Sequence, residues 1–174
     1  MTASIQLPSS IAFLERGWLS SNNVLLHDRE QAILVDTGYW THAKQTEGLI
    51  YSVIGTQPLN WIINTHLHSD HCGGNAHLQT VYPQVQTRIP PGHFDYVTEW
   101  NAEALTYTPT GQHCPVFTAD RCIESGDLFD VAGLQWIAHS APGHDPHSIV
   151  LFCQSEGILI SADTLWEKRS EEHT

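Results

Sequence analysis

Basic side chains are scarce in this chain: seven lysines and arginines stand against nineteen aspartates and glutamates, a formal charge of −12 over 174 residues. Nucleic-acid backbones are held by clustered Lys and Arg, so no nucleic-acid partner is expected. Long apolar runs are missing too. None approaches the roughly 18 residues that a membrane span requires, and no membrane association is expected. The opening Met1-Thr2-Ala3-Ser4-Ile5-Gln6-Leu7-Pro8 has neither a basic start nor an apolar h-region, the marks of a secretory signal, so a cytoplasmic location is expected. The four cysteines, Cys72, Cys114, Cys122 and Cys153, contain no Cys-x-x-Cys pair and are read as free thiols of a reducing compartment. Internal repeats, low-complexity segments and linkers are absent, which leaves one domain as the simplest organisation.

Histidine is abundant, with twelve copies, and three of them fall in one short stretch. Thr65-His66-Leu67-His68-Ser69-Asp70-His71-Cys72-Gly73-Gly74 follows the apolar run Trp61-Ile62-Ile63-Asn64, read as a short buried strand, and precedes a segment read as a helix opening after the two glycines. The cluster therefore lies on a strand-to-helix loop, where ligands and catalytic groups are commonly carried. In an extended segment alternate side chains face the same way, so His66 and His68 can address one cation while Asp70 and His71 turn to a neighbouring position. Imidazole and carboxylate without thiolate suit zinc, manganese or iron. His27, His42, His77, His93, His113 and His139 lack such a pattern and are read as surface residues, and Cys72 as a small space-filling one.

The His-x-His-x-Asp-His run resembles the metallo-β-lactamase fold superfamily, and three later or earlier segments match that family's other motifs in order: Ala32-Ile33-Leu34-Val35-Asp36-Thr37-Gly38, Ala141-Pro142-Gly143-His144 and Ile158-Leu159-Ile160-Ser161-Ala162-Asp163-Thr164. By that resemblance His66, His68 and His144 hold a first metal, Asp70 and His71 a second, Asp163 bridges both, and Asp36 supports the site without ligating. The resemblance implies a four-layer αββα sandwich of α/β class with the metals at one edge of its two sheets. It also implies a hydrolase similar to glyoxalase II, acting on a small-molecule thioester, ester or lactone by attack of a metal-bound hydroxide, with two zinc ions expected and iron or manganese as other candidates. Asp70 would orient the hydroxide and handle its proton. The other readings are a one-iron sulfur dioxygenase of the same fold and an inactive metal-binding remnant. Asp36 could instead be a turn residue, Asp163 the cap of a helix near Leu165, and His147 either reaches the leaving group or covers its loop.

The family expects one more histidine ligand after the last strands. His173 follows Asp163 too closely to serve. The last six residues, Arg169-Ser170-Glu171-Glu172-His173-Thr174, are those encoded by the start of a common sequencing-library adapter, AGATCGGAAGAGCACACG. Residues 1–168 are thus expected to be an incomplete domain missing its C-terminal elements, and residues 169–174 a non-native tail. Within the domain, strands are predicted at 24–26, 32–35, 129–131, 134–138, 149–153 and 158–161, the last four as antiparallel hairpins, with helices at 41–54 and 92–101. Thr41 is the expected cap of the first helix and Gly55 its stop. Segment 90–115, with Phe94, Tyr96, Trp100 and Tyr107, is expected to shape the pocket or to pack the core.

Overall fold

The computed structural model describes residues 6–17 and 19–165. The expectations for residues 169–174, His173 included, fall outside that range. Three strands near the start, β1 (Ile11–Leu14), β2 (Asn23–His27) and β3 (Ala32–Val35), pair antiparallel as a meander. Three more, β4 (Trp61–Ile63), β5 (Gln86–Ile89) and β6 (Arg121–Cys122), extend the sheet in parallel, so its order is β1-β2-β3-β4-β5-β6. Parallel neighbours need crossovers. Helix α1 (Ala43–Ile54) makes the first, and α2 (Ser69–Cys72) with α3 (Asn75–Val81) makes the second.

β3 is apolar at every position because both of its faces are covered. Ala32 and Leu34 meet Ile50 of α1 and Leu78 of α3, whereas Ile33 and Val35 point to the opposite core. There they meet a second sheet of four antiparallel strands, β7 (Leu128–Val131), β8 (Leu134–Ser140), β9 (Ile149–Cys153) and β10 (Ile158–Ile160), in the order β10-β9-β8-β7. Phe129, Val131, Trp136, Ala138, Leu151, Cys153 and Ile160 line its inner face, with Trp136 fully buried. Among the described residues helix, sheet and sheet are thus stacked in the α/β order expected, which accounts for three layers of the αββα sandwich. The outward face of the four-stranded sheet leaves Leu128 and Leu159 exposed.

The hairpins at 128–140 and 149–160 form as expected. β1, β5 and β6 are additional to the predicted strands: Ile11–Leu14 is a short apolar run, Gln86–Ile89 carries a single aliphatic residue and Arg121–Cys122 is two residues long. Thr41 is not a cap. It lies inside a 3-10 turn, Trp40–His42, that leads into α1, while Gly55 ends α1 at φ +60°, as its lack of Cβ permits. Segment 92–101 is not one helix but a 3-10 turn, Pro91–His93, then α4 (Phe94–Thr98), and Trp100 breaks the run at φ +48°. A last short helix, α5 (Tyr107–Thr110), follows. Phe94, Trp100 and Tyr107 pack with Leu67, Cys72, Ile89 and Phe117, so this segment is a third core that braces the ligand loop, and Tyr96 points outward. Among the described residues no helix is long and apolar enough to cross a membrane.

Candidate metal centre

The ligand loop is fixed from both sides. Thr37 N–H donates to the His71 carbonyl at 2.7 Å and Gly74 N–H to the Gly38 carbonyl at 3.1 Å, tying the loop after β3 to the α2–α3 junction. This seat explains the paired glycines. A Cβ on Gly73 would lie 2.5 Å from the Ser69 carbonyl oxygen and 2.6 Å from Trp40 N, and one on Gly74 would lie 2.6 Å from the Thr37 carbonyl oxygen. Backbone presses where side chains would otherwise stand.

Asp36 sits at the end of β3 in the left-handed region, at φ +58°, and is buried. Its Oδ1 accepts from Thr65 N–H at 2.9 Å, and its Oδ2 from the Thr65 hydroxyl at 2.8 Å and lies 2.8 Å from His71 Nδ1. Such a carboxylate fixes the tautomer of His71 so that Nε2 is the nitrogen left for a cation. Asp36 thus contacts His71 but belongs to neither of the groups of atoms that could hold a cation.

Two groups of cation-holding atoms result, each with its atoms within 4.8 Å of one another: His66, His68 and His144, and His66, His71 and Asp163. His68 Nδ1 and His144 Nε2 approach to 3.0 Å. The buried nitrogens His66 Nε2 and His71 Nε2 make no hydrogen bond among the described residues. Converging, buried, unbonded imidazole nitrogens are the mark of a cation site, since leaving them so would otherwise be costly. Asp163, in a 3-10 turn after β10, places Oδ2 3.4 Å from His71 Nε2 and 3.4 Å from His144 Nε2, between the two groups. No helix begins at Leu165, which is extended, so the capping alternative for Asp163 has no helix to cap among the described residues. Asp70, more exposed, lies 3.6 Å from His71 Nε2. All six expected ligand residues therefore share one end of the two sheets.

The electrostatics follow from burial and crowding. Burial, then repulsion from His71, His68 and His144, holds His66 far below the ordinary histidine range. Burial and His144 lower His68 likewise. Burial also pulls His71 down, yet Asp36, Asp163 and Asp70 together carry it up to about 10. Burial raises the Asp163 carboxyl, but its close charge contact with His71, with His144 and His68 beyond, outweighs this and lowers it. His66 and His68 are thereby pushed toward the neutral form that binds a divalent cation, whereas His71 must give up a proton to do so.

Two residues were missed. His93 is no surface histidine: it is 7% exposed, with Nε2 3.8 Å from Asp145 Oδ2. Asp145, also buried, had no signal beyond following His144. His147 lies with its ring against Gly92, where a Cβ would come within 2.1 Å of its Nδ1, and edge-on to His93 at 4.8 Å. Cys72 is fully buried, bonded to the Tyr107 hydroxyl at 3.1 Å and 3.8 Å from Cys114 Sγ, in keeping with a packing role.

The family model of the metallo-beta-lactamase superfamily matches residues 16–172, and the chain belongs to that superfamily. It is 30% identical over 175 residues to an N-acyl homoserine lactonase of Bacillus thuringiensis, spanning 85% of this chain and 65% of the lactonase. It is 29% identical over 110 residues to glyoxylase B2 of Dictyostelium discoideum, spanning 61% of this chain and 35% of that protein, and 23% identical over 179 residues to the acyl-coenzyme A thioesterase MBLAC2 of Gallus gallus, spanning 92% and 65%. The chain thus spans between about a third and two thirds of the relatives it matches. In solved structures the same fold is found in the HARLDQ-motif metallo-beta-lactamase of Cronobacter sakazakii, with TM-score 0.70, 22% identity, and 84% of this chain and 58% of that one covered. It is found again in FEZ-1 of Legionella gormanii, with TM-score 0.71, 14% identity, and 83% and 55% covered.

Proposed function

We propose that this chain carries the metal centre of a hydrolase that opens a thioester, ester or lactone bond in a small molecule, with two divalent cations, zinc in the first instance. The observation that carries the reading is the pair of ligand groups sharing His66, with Asp163 between them. The cations would be held by His66, His68 and His144 and by Asp70, His71 and Asp163, and they would supply Lewis acidity toward the substrate carbonyl and an ionised water as nucleophile. Asp70 Oδ2, 3.6 Å from His71 Nε2, would orient such a water and accept its proton. Asp36 keeps His71 Nε2 turned to the site, and the core built on Tyr107 and Cys72 holds the loop rigid. Two of the relatives are named for a lactone and a thioester substrate, which supports the substrate class. A cytoplasmic setting is part of this reading and agrees with the four free cysteines, two of which, Cys72 and Cys114, share a thiol hydrogen bond rather than a disulfide.

The test is hydrolysis by the full-length protein, zinc-loaded and zinc-stripped, of an acyl-coenzyme A, an S-acyl glutathione and an N-acyl homoserine lactone. Zinc-dependent turnover of one of them, lost in Asp70→Asn, is expected. Bound iron with oxygen uptake on a persulfide, and no hydrolysis, would favour the dioxygenase reading instead, for which the three-imidazole group alone suffices. Inactivity toward all substrates in every metal state would leave a metal-binding remnant.

A further inference from the structure

Each imidazole that gives one nitrogen to a cation needs a partner for the other, which sets the ring's tautomer and angle. For His71 that partner is Asp36, and for His66 the Thr65 hydroxyl lies 3.1 Å from Nδ1. His68 turns Nδ1 toward His144, so its Nε2 faces away from the cation group, and 3.9 Å from that nitrogen stands Asp145 Oδ2. The same oxygen lies 3.8 Å from His93 Nε2. The other carboxylate oxygen, Oδ1, accepts from His147 N–H at 2.7 Å and closes the turn after His144.

We propose that Asp145 is the positioning carboxylate of His68, seated from its far side by His93. The inference rests on the reading of His66, His68 and His144 as a cation group. A carboxylate only 7% exposed is expensive to bury alone, and two imidazole donors on one oxygen offset that cost. At 3.8 and 3.9 Å both contacts are electrostatic rather than hydrogen-bonded, and a small rotation of the His68 ring would bring its own, the longer of the two, within hydrogen-bond reach. His93 begins where β5 ends and the turn Pro91–His93 forms, so the arrangement ties a first-group ligand to the six-stranded sheet. His147 completes the seat by packing on Gly92 and on the His93 ring.

Asp145→Asn separates this role from the turn. Asparagine keeps an oxygen for His147 N–H but sets an NH2 group against the N–H of His68 and His93. The experiment is cobalt(II) titration of the full-length protein, wild type and Asp145→Asn, against a chromophoric chelator of known affinity, with melting of both metal-free proteins alongside. The variant should bind cobalt about 10- to 100-fold more weakly, with a changed visible cobalt spectrum. His93→Phe, which fills the same space without a donor, should weaken binding several-fold and carries the test if Asp145→Asn does not fold. Wild-type uptake matched by both variants would overturn the proposal and leave the cation site standing, as would a loss confined to melting temperature. No uptake by the wild type would overturn the cation site itself, and this inference with it.

Discussion

Replacing Asp36 should separate the stability of the fold from the readiness of the site. Its two oxygens serve Thr65 N–H, the Thr65 hydroxyl and His71 Nδ1, all at 2.8 to 2.9 Å and all buried. Asp36→Ala leaves these three donors without an acceptor at about 1–3 kcal/mol each, or roughly 3–9 kcal/mol in sum. The left-handed backbone at φ +58° adds a further cost of about 1–2 kcal/mol for alanine. Against a total stability of about 5–15 kcal/mol, the alanine variant should be largely unfolded. Asp36→Asn behaves differently, because asparagine tolerates that backbone and keeps one oxygen for Thr65 N–H. Its NH2 group, set where Oδ2 stood, requires His71 Nδ1 to be the acceptor and so moves the ring proton to Nε2, the nitrogen turned to Asp163. The folded asparagine variant should therefore lose about 10- to 100-fold in metal affinity, or about 1.4–2.7 kcal/mol. Urea unfolding of the metal-free proteins and zinc competition against a chelator measure the two effects separately. Wild-type zinc affinity in Asp36→Asn, or an alanine variant within about 1 kcal/mol of wild type, would refute the reasoning.

Four further outcomes are expected. Held up to about 10, His71 is protonated at pH 7 in the metal-free protein, and that proton must leave when Nε2 takes a cation. Calorimetry in buffers of different ionisation enthalpy should show its release, with zinc affinity rising about tenfold per pH unit from neutrality toward pH 10. The same raised value stabilises the metal-free fold fully below the unfolded histidine range near 6.5, and this contribution is lost as pH rises through about 10, visible in urea melts. Gly74→Ala, whose Cβ would meet the Thr37 carbonyl oxygen at 2.6 Å, should lose about 1–3 kcal/mol or more, whereas Gly48→Ala, in α1 with open space around it, should gain about 0.5–1 kcal/mol in the same melts. Trp136→Ala, at the centre of the inter-sheet core, should cost about 3–5 kcal/mol in chemical denaturation without altering the visible spectrum of the cobalt-loaded protein.

The spacing of His66, His68, Asp70 and His71 within one turn of chain sufficed to place them at one site, because residues so close in sequence on a strand-to-helix loop cannot be far apart in space. Strands with strong aliphatic patterns, such as Ile149–Cys153, were legible for the same local reason. β5 and β6 were not, since their few apolar residues become strands only by pairing with β4 and with each other. His144 and Asp163 were reachable through a family resemblance, but the 3.0 Å approach of His144 to His68 across 76 residues is made by the packing of two sheets. His93 and Asp145 carried no local pattern at all. Metal-ligand spacing is a property of contiguous chain and can be read from it, whereas the burial of a carboxylate between two imidazoles from separate elements exists only once the sheets have met.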